Sequence, residues 1–202
     1  LNELQTVDFF VVPFRGAEYI AHTMISFGFA DGRYLAVSAE VRTEKGETYS
    51  AIGGLTRQLE LTYVVADERD VVRLRTHHRD ADVYLYRTTT PPEVARELFI
   101  DVMQRVNALA DRPEFYDTLT NNCTTNIVDH VNRIAPRRVP FRIGVLLPGY
   151  SDRDAYELGL LDRSLPFEQL KARSKINDLA GAYYDDPDFS TKIRRRMLAP
   201  SG

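Results

Sequence analysis

A single cysteine, Cys123, occurs in the 202-residue chain, within the stretch "TLTNNCTTNIVDHVNRI" (Thr118 to Ile134). The run "CTTNIVDHVNRI" carries Ile127, Val128, Val131 and Ile134 at helical spacing, which predicts a helix that begins at Cys123. The first backbone N–H groups of a helix have no internal partner, and the macrodipole places partial positive charge there. A thiolate at such a position is stabilised, so the thiol pKa falls. The same N–H groups can receive the oxyanion of a tetrahedral intermediate. Free cysteine is also among the most buried residue types and often only packs. The polar flank "TNNCTTN" argues against an apolar pocket. From the residues alone, nucleophile and buried hydrophobe both stay open.

A cysteine nucleophile needs a base, and that base is usually histidine. The chain offers His22, His77, His78 and His130. His130 lies on the predicted helix of Cys123, about 10.5 Å along its axis, which is out of reach; it reads as a surface or packing residue. His77 and His78 are adjacent in "RTHHRD", between two predicted strands, in a solvated charged setting. His22 lies inside the apolar run "YIAHTMISFGF", where a buried imidazole requires a partner. A three-residue turn at "ADG" (Ala30 to Gly32) pairs Phe29 with Arg33. The ladder then brings Met24 opposite Ser38 and His22 opposite Glu40. A carboxylate there would orient the imidazole and stabilise its charged form. A two-residue turn would break this register, and Glu40 also suits a surface pair with Arg33 or Arg42. Tyr116, Asn121 and Asn122 lie in the loop that presents Cys123. They are candidates for receiving an oxyanion or binding substrate, or they fix the loop.

These side chains need a scaffold. Strands are predicted at Val7–Phe14, Tyr19–Phe29, Arg33–Arg42, Arg57–Ala66, Val71–Thr76 and Asp82–Thr88, with a turn at Glu44–Glu47. At "TTTPPEVARELFIDVMQRVNALAD" the period changes to a helix of about five turns, with Thr90 as its cap. Its apolar stripe is Val94, Leu98, Val102 and Val106, widened by Phe99 and Met103. Pro136 is expected to stop the helix of Cys123. "PFRIGVLLPGYSDRDAYELGLLD" is rich in turn residues, and "PFEQLKARSKINDLAGAYY" reads as helical. Strands followed by helices indicate an α+β fold in a single domain over 1–202. The cluster Asp67, Glu68, Arg69 and Asp70 reads as a charged turn, or as an ion-pair network beneath a site.

Composition narrows the function. Net charge is −3, which gives no reason to expect a nucleic-acid partner. One cysteine allows no internal disulfide, and scattered histidines predict no metal site. No dinucleotide or phosphate-binding glycine motif is present, so no cofactor is expected. The basic run "KIRRR" (Lys192 to Arg196) reads as a solvated helix end or a contact for phospholipid headgroups. The chain opens at Leu1 without a Met and is expected to be trimmed at its N-terminus, with any anchor outside it.

"AHTMISFGF" with its "DG" turn, "SAEVR", "YSAIGGLTRQLELTYVVADERDVVRLRT", "VYLYR", "FYDTLTNNCTTNI" and the closing "DFSTKIR" together resemble the Lnb N-terminal periplasmic domain family. The resemblance implies a circularly permuted papain-like fold, in which a strand-borne histidine precedes a cysteine that heads a helix. "NNCTT" is also similar to the "NCEHF" motif of lecithin:retinol acyltransferase-like enzymes, which pass acyl chains through a thioester; the "EHF" part is absent. The resemblance implies a site at Cys123 and His22, to which the ladder register adds Glu40. The implied activity is thiol-dependent acyl transfer or hydrolysis on a bacterial lipoprotein or phospholipid at a membrane surface, in the periplasm or cell envelope. The alternatives are a cysteine peptidase or amidase acting on envelope peptides, and a non-catalytic envelope binding domain.

Overall fold

A computed structural model describes residues 1–42, 59–135 and 138–198. The expected turn at Glu44–Glu47, the start of the strand at Arg57 and the helix stop at Pro136 lie outside the described residues. In β1 (Leu4–Phe14) the apolar run serves two cores at once. Phe9 and Val11 point into one cluster, and Phe10 and Val12 into another. A strand covered on both faces shows a continuous apolar sequence rather than alternation, and "FFVV" is that signal.

β1 pairs with β2 (Ala17–Phe29) and β5 (Tyr84–Arg87), β2 with β3 (Tyr34–Arg42), and β3 with β4 (Glu60–Asp67), all antiparallel. The sheet order is β4-β3-β2-β1-β5. The turn between β2 and β3 is the expected one: Gly32 adopts φ 83° and Phe29 N–H donates to the Arg33 carbonyl at 2.9 Å. The register agrees too, from Gly28 opposite Tyr34 to Ile25 opposite Val37. There the β2–β3 ladder stops. β3 stays paired to β4 out to Arg42, and β2 to β1 back to Ala17. The two strands therefore part, with His22 on one lip and Ser38 to Glu40 on the other.

Helices cover both faces, giving an α+β architecture around an open antiparallel sheet. After β4 come α1 (Glu68–Arg73) and a wider π turn (Leu74–His78). The expected strand Val71–Thr76 is therefore helical, and His77 and His78 sit in that π turn. The reason is local: Asp67 accepts from Arg69 N–H at 2.9 Å and caps α1, and Glu68 and Asp70 fill its first turn. Val71 and Val72 then pack into the core beside Phe10 and Met24.

α2 (Pro92–Asp111) buries Ala95, Leu98, Val102 and Leu109. Pro91, rather than Thr90, occupies its cap position, and the Thr90 hydroxyl instead lies in a hydrogen bond with that of Thr88 at 2.8 Å. α3 (Cys123–Ile134) begins at the cysteine, as expected, and packs on β2, β3 and α2. The turn-rich segment forms the short helices α4 (Ile143–Leu146) and α5 (Ser151–Glu157), joined through a 3-10 turn at Pro148–Tyr150. The next stretch is two helices rather than one, α6 (Phe167–Ser174) and α7 (Asn177–Ala182), parted where Lys175 bridges to Tyr84. α8 (Phe189–Lys192) and α9 (Arg195–Leu198) complete the chain.

The closing basic run is not a uniform surface patch. Arg194 is 0% exposed, with Nε 2.8 Å from Asp8 Oδ2 and Nη1 2.7 Å from Glu68 Oε1. Its guanidinium lies 3.6 Å from the centre of the Tyr34 ring. Asp8 and Glu68 are also fully buried, and Arg87 reaches Asp8 from the sheet edge. The charged cluster around Glu68 is thus, in part, a buried ion-pair network that ties the C-terminal helices to β1 and α1.

Candidate active site

Cys123 is the first residue of α3 and is 5% exposed. Asn122 supplies the cap: its Oδ1 accepts from Thr124 N–H at 2.8 Å and from Thr125 N–H at 2.9 Å. Thr125 returns the bond by accepting from Asn122 N–H at 2.7 Å. The reciprocal pair satisfies helix-start donors and holds the first turn rigid. The cap's two accepted bonds go to Thr124 and Thr125, and neither is taken from the Cys123 N–H.

The gap between β2 and β3 brings His22 to this helix start. His22 is 9% exposed. Its Nε2 lies 2.6 Å from Ser38 Oγ and 3.2 Å from Glu40 Oε1. Ser38 Oγ donates to Glu40 Oε1 at 2.8 Å. The serine has one proton and gives it to the carboxylate, so it accepts from Nε2–H. Arg75, from the π turn after α1, also donates to Glu40 Oε1. A chain of bonds therefore runs from the imidazole through Ser38 and Glu40 to Arg75. Thr23 closes the other side, its hydroxyl 3.0 Å from that of Thr124.

Electrostatics follow from this packing. Burial pushes the Cys123 thiol up, but the charge and hydrogen bond of His22, with bonds from Thr23, bring it down to about 7. Burial pulls His22 down, and the charge and bond of Cys123, joined by Glu40, raise it to about 8. Burial would raise the Glu40 carboxyl, yet His22, Arg75 and Ser38 hold it at about 2. The arrangement favours a thiolate facing an imidazolium near neutral pH.

The remaining expected residues divide. Asn122 is occupied as the cap, and its Nδ2 donates to the Thr118 carbonyl at 2.7 Å. Asn121 donates to the Phe115 carbonyl and accepts from Asn126 Nδ2, each at 2.9 Å. Both asparagine side chains thus fix the loop that leads into α3. Tyr116 is buried and packs in one small cluster with Cys123, Ala39 and Leu61. His130 belongs elsewhere: it is buried between Asp101, at 2.6 Å from Nδ1, and the Tyr63 hydroxyl, at 2.8 Å from Nε2. It is a packing histidine.

Ser38, Arg75, Thr23 and Thr124 were not singled out from the sequence. Ser38 carried a signal, since it falls within the predicted ladder two residues before Glu40. Arg75 carried none, because its segment reads as a strand. Among the described residues, no group of His, Cys, Asp or Glu side chains is arranged to hold a metal ion, and no helix is long and apolar enough to cross a membrane.

Comparison with known proteins bears on the same region. No curated protein and no solved structure matches the chain. The family described as the Lnb N-terminal periplasmic domain matches residues 1–149, a span that holds the whole sheet, His22, Ser38, Glu40, Arg75 and Cys123. The closing "DFSTKIR" motif lies beyond it. A periplasmic setting follows from that description, and the chain is a member of the Lnb N-terminal periplasmic domain family.

Proposed function

We propose that the protein is a cysteine-dependent acyl-transfer enzyme of the bacterial envelope, acting on a lipoprotein or phospholipid. The observation that carries this reading is the joining of one thiol to one imidazole at a helix start, with Ser38, Glu40 and Arg75 lined up behind the ring. The order of the parts, histidine strand before cysteine helix, supports a permuted papain-like arrangement.

In this mechanism the Cys123 thiolate attacks the carbonyl carbon of an ester or amide. The developing oxyanion is received by the Cys123 N–H, which the cap leaves available. As the bond to the leaving group breaks, His22 hands that group the proton. With Nε2–H held by Ser38, the proton passes through Nδ1, the nitrogen left to face the thiol. The product of this half-reaction is a thioester. An amine or a water then attacks it, His22 takes the proton, and the thiolate is regenerated.

A second reading is amide cleavage by the same residues, and a depression of mixed character on the loop before Cys123, lined by Pro113, Phe115, Glu114, Asp117, Thr120 and Asn121, suits a peptide with both apolar and polar side chains. One experiment separates the cases. Wild type and Cys123→Ala are incubated with phospholipids, lipopeptides and envelope peptides, then examined by intact-mass spectrometry. Acyl transfer predicts a gain of fatty-acyl size on wild type alone. Peptide fragments without an acyl adduct would favour amide cleavage. Wild type unchanged, with every donor intact, would leave only a binding domain.

A further inference from the structure

A cavity of about 140 Å³ lies between the sheet, α3 and the α4–α5 segment. Its walls include Ile25, Ile127, Val131, Val145, Ala155 and Leu161. Six of its lining residues carry polar side chains, and all six are bonded to other protein groups. Thr88 donates to the Val7 carbonyl, the Thr90 hydroxyl bonds that of Thr88, and Thr124 bonds Thr23. Ser151 donates to the Pro148 carbonyl, and Arg142 reaches Asp154 and Glu157. Asp154 also accepts from Gly144 N–H. The other fifteen lining residues are apolar, so the walls offer contact mainly to hydrocarbon, which needs no hydrogen-bond partner, and give a peptide, a sugar or a phosphate few groups to bond.

The cavity comes to within one residue of the reactive group. Thr124 lines it, and the Thr124 hydroxyl is 3.9 Å from Cys123 Sγ. At the outer side, Phe141 and Ile143 flank the lining residue Arg142 and are exposed to solvent. Part of the wall, from Ser151 to Leu161, lies outside the span that matches the family.

We propose that this cavity is the acyl-chain site, holding the hydrocarbon tail of a fatty-acyl group with its outer end toward Phe141 and Ile143. The proposal rests on the acyl-transfer reading and adds the place and size of the chain. A cavity of about 150 Å³ admits a benzene-sized molecule, so the walls enclose about six carbons. Within that length each added methylene strengthens binding about fourfold, and beyond it the gain falls off.

The test uses the intact chain and a diazirine-bearing octanoate, with labelled peptides mapped by mass spectrometry. The expected result is label confined to peptides that hold lining residues, on β1, β2, the stretch from Thr88 to Leu98, α3 and 139–161, displaced by excess octanoate far better than by butanoate. Val128→Trp, which fills the cavity from α3, reduces the label at least tenfold, with folding checked by circular dichroism. Ala155→Leu serves as a second variant if the first fails to fold. Label elsewhere, label not displaced by octanoate, or label unchanged in a folded variant overturns the proposal. Labelling of Cys123→Ala separates this idea from the chemistry. If the label maps to the cavity while no donor ever acylates wild type, the site stands and the acyl-transfer reading falls. If wild type forms a thioester equally fast from acetyl and octanoyl donors and the cavity stays unlabelled, the reverse holds.

Discussion

At His22 the two ring nitrogens have separate duties. Nε2 is committed to Ser38 and Glu40, and in the proposed mechanism Nδ1 serves the thiol. The charge on each partner is what sets the other, so the pair is charged between about pH 7 and pH 8. Alkylation of Cys123 by iodoacetamide is expected to rise through about pH 7, below the ordinary thiol value of about 8.5. In His22→Gln burial is opposed only by the bonds from Thr23, and the rise moves to higher pH; an unmoved profile would mean that His22 does not govern the thiol. Turnover is expected to climb through about pH 7 as the thiol loses its proton and to fall through about pH 8 as His22 loses the proton due to the leaving group. Ser38→Ala removes the bridging hydroxyl between imidazole and carboxylate and leaves only their longer direct contact of 3.2 Å. It should slow acylation about 10- to 100-fold while the fold persists, and should shift the upper limb of the pH profile. A purely structural serine would leave that limb in place. Of these residues, Cys123, His22 and Glu40 were legible because each is a titratable group in an anomalous setting. Ser38 was hidden because a serine in a strand is unremarkable until the bond on either side of it is seen.

At the level of elements, α3 shows how capping and chemistry share residues. Asn122→Ala removes two accepted bonds and should cost about 1 kcal/mol in urea unfolding. It should also raise the alkylation pH, because the first turn loses its fixed N–H directions. A loss of stability without that second effect would limit Asn122 to a structural part. The face that α3 buries is partly polar, with Asn126 and His130 inside, while Ile127 and Val131 turn to the cavity. Hydrophobic spacing located this helix correctly and still could not tell which face meets the sheet. β1 to β3 were readable from apolar runs and the "ADG" turn. The segment Val71–Thr76 was not, since its β-branched residues mimic a strand and the cap at Asp67 looks like any charged turn. That helix and the π turn after it are what deliver Arg75 to Glu40.

On the scale of the whole molecule, the family span stops at residue 149, yet the core does not. Ile176, Leu179, Phe189 and Ile193 fill the cluster that Phe10 and Met24 share from the sheet. Arg194 closes it through Asp8 and Glu68. A buried pair that loses one partner leaves an uncompensated charge, so Arg194→Met should destabilise the protein by about 3–5 kcal/mol in thermal or urea unfolding. A change below about 1 kcal/mol would show that solvent reaches the network. None of this was visible in "KIRRR", because burial of one arginine among three depends on a carboxylate near the other end of the chain.

The bonds that build the site and its support join distant positions. The Thr23–Thr124 bond spans 101 residues and the Arg194–Asp8 bond spans 186. Contacts of that range form late, because long loops must close before they are rewarded. Until then Cys123 has neither its imidazole nor its rigid helix start, and its thiol behaves as any other. The Cys123 thiol is therefore unactivated in the nascent chain and in partly folded forms, and its lowered pKa arrives as a property of the completed fold.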